Sequence, residues 1–267
     1  MPTTPAKNLL YRAALPILAP RSRGQMTHHV FGHPLTTLPN YERILAKHHV
    51  FGASLLLQDG ANCALCDTST ANPEHLAQEN TLYRVASITK MATALVTLRC
   101  IDNGLFALDS EAASLLPDGE KAPALSGVTV RHLLCHTSGL RDLPILDDCL
   151  KEGKPYTELL RQPEIRACAP GQQLIYSNFG FGLLGCILEQ QTGLCIEPLF
   201  QEMLFRPLHM RATLDASTLN EAEIMPITRV LPYRAGQELR VTALGRHPLQ
   251  KLNPLCHYGH TAGAMYT

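Results

Sequence analysis

The chain has 267 residues, 45% of them hydrophobic and 17% charged, enough apolar material for one large domain or two small ones and too much for wholesale disorder. Its 23 basic residues balance 23 acidic ones, so no net field selects a polyanion, and no basic run supplies a nucleic-acid footprint. The nine cysteines (Cys63, Cys66, Cys100, Cys135, Cys149, Cys168, Cys186, Cys195 and Cys256) are odd in number and scattered, the pattern of reduced thiols rather than of a disulfide framework, and the expected location is cytoplasmic.

Residues 1–35 hold prolines, basic residues and histidines without a period and read as a loose leader. Arg12 and Pro16 interrupt its apolar stretch, a poor signal-peptide core, and no stretch reaches transmembrane length. Residues 41–47 pattern as a short amphipathic helix. Residues 50–57 read as a strand, Asp59-Gly60 as a hairpin turn, and a second strand follows through Leu65. Cys63 and Cys66 fall in that second strand. They lack the further ligands of a zinc site and the βαβ context of a redox motif, so neither metal nor cofactor is expected. A short strand over 82–85 leads into a helix that ends at Asn103-Gly104, a common stop.

Ser87 and Lys90 stand at the head of that helix. One turn puts residues i and i+3 on one face, so hydroxyl and amine can meet. From Met91 to Ile101 only Arg99 is charged, which predicts a helix buried nearly all round. Burial disfavours the ammonium form, and the positive helix end opposes a cation there. The pair therefore reads as a base beside a nucleophile. A capping role for Ser87 would favour Glu or Gln at position 90, where Lys stands.

Past Gly104 short helices and loops take over, with helices over 130–136, 149–161, 180–191 and 196–204. Residues 215–255 are polar and Pro-broken, with a strand or two at most. Tyr176-Ser177-Asn178 ends an extended piece that opens onto the apolar 180–191 helix. Tyr176 and Asn178, two apart, point the same way and can line a cleft; equally, Asn178 suits a helix cap and Tyr176 a half-buried aromatic. His136-Thr137-Ser138 precedes Gly139 and reads as satisfying turn backbone, not as a dyad. The twelve histidines show no zinc-ligand spacing. The order of elements predicts an α/β part, 36–104 and 250–267, and a mainly helical part, 105–249, with the Ser87 helix at their junction.

Ser87-Ile88-Thr89-Lys90 followed by Tyr176-Ser177-Asn178 resembles the first two motifs of the serine β-lactamase and penicillin-binding-protein superfamily. The Tyr-x-Asn form is similar to class C β-lactamases and to related DD-peptidases and esterases. Three further stretches resemble the same group: 128–140 with its His136-Thr137-Ser138-Gly139-Leu140 end, Asp102-Asn103-Gly104-Leu105 with Leu108-Asp109, and the glycine-spaced 180–185. The resemblance runs from about residue 50 to the end. It implies a β-lactamase/transpeptidase-like fold over 36–267, an antiparallel sheet flanked by helices with a helical subdomain.

It also implies roles. Ser87 would be the acylated nucleophile, Lys90 would help remove its proton, Tyr176 would be a base or proton relay, and Asn178 would hydrogen-bond the substrate's amide. The implied activity is hydrolysis through an acyl-enzyme of a β-lactam, a D-amino-acid peptide or a small ester. The implied partner is that small-molecule or peptide substrate, with no nucleic acid and no membrane span. The group's third motif, Lys-Thr-Gly or His-x-Gly on a central strand, supplies half of an oxyanion hole. No segment matches it: Gln191-Thr192-Gly193 reads as a helix end, and His260-Thr261-Ala262-Gly263 has one residue too many. The expectation is a domain that stops before its sheet closes. The alternative to an active enzyme is a catalytically incompetent relative that at most binds a ligand.

Overall fold

The computed structural model describes residues 25–31, 44, 52–60, 62–69, 80–225, 227–235, 238–246, 249, 251–253 and 257–267. They fall into two compact units, Met1–Tyr83 with Asn220–Pro248, and Arg84–Leu219 with Leu249–Thr267.

In the first unit β2 (Gly52–Asp59) and β3 (Asn62–Ser69) form the expected hairpin, pairing Gly52 with Ser69 and Asp59 with Asn62. Gly60 turns the chain with φ 57, a conformation that glycine adopts without steric cost. β1 (Gln25–Phe31) pairs antiparallel along the other edge of β3, giving the order β1-β3-β2. This strand lies inside the segment expected to be a loose leader. Its partner is far away in sequence, so composition around residue 28 carries no sign of the pairing. β4 (Thr228–Ala235) and β5 (Glu238–Arg246) form a two-stranded ribbon with a register shift at Arg229/Val230. Pro232 is tolerated because both strands of such a ribbon are edges. The ribbon supplies the strand or two expected over 215–255, inside the otherwise mainly helical part. The strand expected over 82–85 is reduced to isolated bridges, Leu82 to Ile224 and Arg84 to Tyr266. The helix expected over 41–47 lies outside the described residues except for Ile44, which is helical.

The second unit is helical: α1 (Thr89–Asp102), α2 (Ala112–Leu115), α3 (Val130–Leu134), α4 (Leu146–Glu152), α5 (Tyr156–Leu160), α6 (Asn178–Thr192), α7 (Ile196–Phe200) and α8 (His260–Gly263). The helix bearing Lys90 thus belongs with the helical body, not with β2 and β3 as expected. α6 is the axis. Phe179, Phe181, Leu183, Leu184, Ile187 and Leu188 are all buried, and α1, α3, α7 and α8 pack around it. Glycines set the approach of α8: a Cβ at Gly182 would overlap the Tyr258 carbonyl oxygen, and one at Gly185 would lie 2.7 Å from Thr261 Oγ1. A backbone carbonyl cannot rotate aside. Gly182→Ala should therefore lower stability by about 1–3 kcal/mol through overpacking. Denaturant melting checks this, and an unchanged midpoint would contradict the packing of residue 258 on α6.

α1 is not buried all round as its composition predicts. Its buried flank is Thr89, Lys90, Ala92, Thr93, Val96, Thr97 and Cys100, while Ile88, Met91, Leu95 and Leu98 are exposed, Met91 at 67%. Hydrogen bonding selects the flank. Thr93 Oγ1 donates to Thr261 O at 2.7 Å, Lys90 Nζ donates to Ala262 O at 2.6 Å, and Thr89 Oγ1 accepts the Met265 N–H at 3.1 Å. The 261–265 segment has backbone groups that need partners once buried, and the polar side of α1 supplies them. Among the described residues no single helix is long and apolar enough to cross a membrane.

Candidate active site

Ser87 sits in a 3-10 turn, Ala86–Ile88, that feeds α1. Ala86 has φ 48, left-handed backbone that a residue with a Cβ seldom adopts, and the turn keeps Ser87 exposed and out of the regular helix. α1 starts after Ile88 without a side-chain cap bond, so Ser87 does not serve as its cap.

Lys90 follows one turn later and is 7% exposed. Its Nζ donates to Ala262 O at 2.6 Å, to Asn178 Oδ1 at 2.8 Å and, at a long 3.4 Å, to Ser87 Oγ. It also lies 4.8 Å from the centroid of the Tyr176 ring, within cation–π range. Three oxygen acceptors match the three N–H groups of an ammonium. The amine is buried, as expected, but among oxygen acceptors rather than in a purely apolar pocket.

Tyr176 Oη lies 2.7 Å from Ser87 Oγ, the phenol donating. Partial burial raises its pKa, but the hydrogen bonds with Lys90 and Ser87 and the charge of Lys90 outweigh that and hold the phenol below its ordinary 10.0. The imidazole of His136 braces the phenol ring, with centroids 4.4 Å apart. His136 Nδ1 accepts the Ser177 N–H at 3.2 Å. Burial and the Lys90 charge both lower the His136 pKa, so the ring is neutral at pH 7, as an accepting Nδ1 requires. Ser138 Oγ accepts the Leu140 N–H at 3.2 Å. The 136–138 segment thus serves backbone, His136 at residues distant in sequence and Ser138 within its own turn.

Ser177 caps α6: its φ and ψ are −136 and 117, and its Oγ accepts the Gly180 N–H at 2.9 Å. Asn178 is therefore the first helical residue and not the cap. The extended step at Ser177 sends Tyr176 and Asn178 to one side, where both reach the Ser87–Lys90 pair.

One member of the cluster escapes sequence reasoning. Asp142 Oδ1 accepts the Phe179 N–H at 2.9 Å and the Ser177 hydroxyl at 3.1 Å; its Oδ2 accepts Asn178 Nδ2–H at 2.7 Å and Asn178 N–H at 3.0 Å. It satisfies donors that the start of a helix leaves open and complements the positive helix end. It stands 36 residues before Asn178, and no local pattern marks it.

Beside Ser87 and Asn178 opens a cavity of about 270 Å³, with Leu146, Leu150, Phe179 and Tyr258 on its apolar wall and Arg84 and Asp147 as its charged groups. A larger cavity of about 640 Å³, around Lys121, Arg161 and Arg166, touches none of the residues above; chemistry, not size, assigns the site. Among the described residues no three His, Cys, Asp or Glu side chains are placed to hold a metal ion. The side chains of Cys63 and Cys66 lie outside the described residues.

The chain is 32% identical over 157 residues to a protein named monacolin J acid methylbutanoyltransferase, from Aspergillus terreus, covering 49% of this chain and 37% of that protein. It is 28% identical over 225 residues to penicillin-binding protein 4 of Amycolatopsis lactamdurans, covering 75% and 58%. The chain thus spans less than two thirds of the length of each of these relatives. A solved class C β-lactamase superposes with a TM-score of 0.63 at 20% identity, over 86% of this chain and 60% of that one. The likeness gives a β-lactamase/transpeptidase-like fold, here with a helical body and little sheet among the described residues. The family model described as Beta-lactamase matches residues 40–251, most of the chain, and the chain belongs to the β-lactamase family.

Proposed function

We propose that this chain forms an acyl-enzyme on Ser87 and that its substrate is a small ester. The observation that carries the reading is the contact of Tyr176 Oη with Ser87 Oγ at 2.7 Å, with the Lys90 ammonium beside both. The phenol, held below its ordinary pKa, is the general base. Once it is ionised the contact reverses and the Ser87 hydroxyl donates to the phenolate. Oγ attacks the ester carbonyl carbon while its proton passes to Tyr176 Oη. The tetrahedral intermediate collapses, the C–O bond to the leaving alcohol breaks, and Tyr176 returns the proton to that alcohol. Water then repeats the sequence: its proton goes to Tyr176, its oxygen attacks the acyl carbon, and Ser87 leaves with the proton restored. Lys90 keeps the phenolate accessible by charge. Asn178 holds Lys90 and lines the acyl cavity.

An ester is favoured over a β-lactam or a D-amino-acid peptide by the apolar wall next to Ser87, which suits a short acyl chain, and by the relative named as an acyltransferase. The test is parallel turnover of a p-nitrophenyl ester, a chromogenic cephalosporin and a D-alanyl-D-alanine peptide by wild type and Ser87→Ala. The ester should be turned over fastest, and the variant should fall to the background rate. A variant that keeps the wild-type rate would remove Ser87 from the chemistry. Because the chain spans only part of its relatives' length, a folded chain that binds these ligands but turns over none would be a binding relative.

A further inference from the structure

We infer that Asp142 is a positioning residue for the Ser87–Lys90 pair, acting through the side-chain amide of Asn178; this rests on the acyl-enzyme reading above. A primary amide has two ends of nearly equal size and opposite hydrogen-bonding character, so something must decide which end faces Lys90. Asp142 decides it. A carboxylate only accepts, and Oδ2 at 2.7 Å takes an N–H from Asn178 Nδ2. That leaves Asn178 Oδ1 pointing at Lys90 Nζ, 2.8 Å away. The reversed amide would set N–H groups against the ammonium and remove one of its acceptors. Lys90 would keep only Ala262 O and the long contact to Ser87, and would be free to shift from the serine.

The polarity runs in one direction through residues from three places in the chain. The 142 carboxylate accepts from the 178 amide, the 178 carbonyl accepts from the 90 ammonium, and the ammonium reaches the 87 hydroxyl. The backbone N–H groups of Asn178 and Phe179 bind the same carboxylate, which locks it against rotation. Capping alone would need only those backbone bonds. The bond to Nδ2 is what ties the helix start to the reactive pair.

The test is the rate at which a fluorophosphonate labels Ser87 in wild type, Asp142→Asn, and the exchanged pair Asp142→Asn with Asn178→Asp. Circular dichroism and melting confirm the fold of each. In the single variant an amide replaces an acceptor-only group, the 178 amide loses its orientation, and labelling should slow by about 10²-fold, the scale of a 1 Å misplacement. In the exchanged pair the 142 amide donates to the 178 carboxylate, which again offers Lys90 an acceptor. This pair should recover about 10-fold of the loss, a coupling expected only of groups in direct contact. A merely structural cap would show no such recovery. Wild-type labelling by Asp142→Asn, or an exchanged pair no faster than the single variant, would overturn the inference. A readout independent of labelling is proton exchange at the Asn178 side-chain amide by NMR. One proton should be protected in wild type and lose protection in Asp142→Asn, and equal exchange in both would overturn the positioning role. Should wild type fail to label at Ser87, the acyl-enzyme reading falls, while amide exchange still decides what Asp142 does.

Discussion

Tyr176→Phe should slow acylation of Ser87 by about 10²–10⁴-fold, the usual contribution of a positioned general base, with the fold unchanged. The substitution removes one oxygen. The phenyl ring retains the stack on His136 at 4.4 Å and the face presented to Lys90 at 4.8 Å. Because Tyr176 is 49% exposed, no buried cavity is created and melting should be nearly unchanged. The pH profile carries a second signature. The active form is the phenolate, so the wild-type acylation rate should rise with pH through the Tyr176 pKa and level off above it. That pKa lies below 10.0, so the midpoint should too. The rising limb should vanish in the variant. A rate within a few-fold of wild type, with the limb intact, would assign proton removal to another group.

Lys90→Met should be comparably damaging by a different route. Methionine fills much of the lysine stem's space without its charge or its donors. Burial by itself raises the Tyr176 pKa; the hydrogen bonds and the charge of Lys90 bring it down. Without them the phenol should ionise at higher pH, so the variant's rising limb should move upward. At pH 7 acylation should be lower by about 10²-fold or more, within the range for loss of general-base function. The change also strips a donor from Asn178 Oδ1 and Ala262 O, and an unsatisfied buried acceptor costs about 1–3 kcal/mol. A lower melting midpoint is therefore expected, and rates must be compared well below it. An unshifted rising limb would show that Lys90 does not set the phenol's ionisation.

What was legible in the sequence is what short-range geometry dictates. Positions 87 and 90 share a face because one helical turn separates them, and positions 176 and 178 share a side because extended backbone alternates. The structure brings both pairs together. The rest depends on residues that meet only in the folded chain. Asp142 is 36 residues from Asn178, and Ala262 O comes from 172 residues beyond Lys90. Without those acceptors in view, apolar neighbours and the helix end suggest an amine in an apolar pocket; the fold instead places it among three oxygens. The flank that α1 buries was equally hidden, since it follows from which hydroxyls the 261–265 segment needs rather than from average hydrophobicity. β1 was hidden for a related reason, because its pairing with β3 is non-local.

The site as a whole stands or falls on where a covalent probe attaches. After fluorophosphonate treatment and proteolysis, mass spectrometry should find the adduct on the peptide bearing Ser87 in wild type, none there in Ser87→Ala, and slower appearance in Tyr176→Phe. An adduct on a different serine, or an unmodified Ser87 in folded chain after prolonged treatment, would contradict the assignment of Ser87, Lys90 and Tyr176 as one reacting unit.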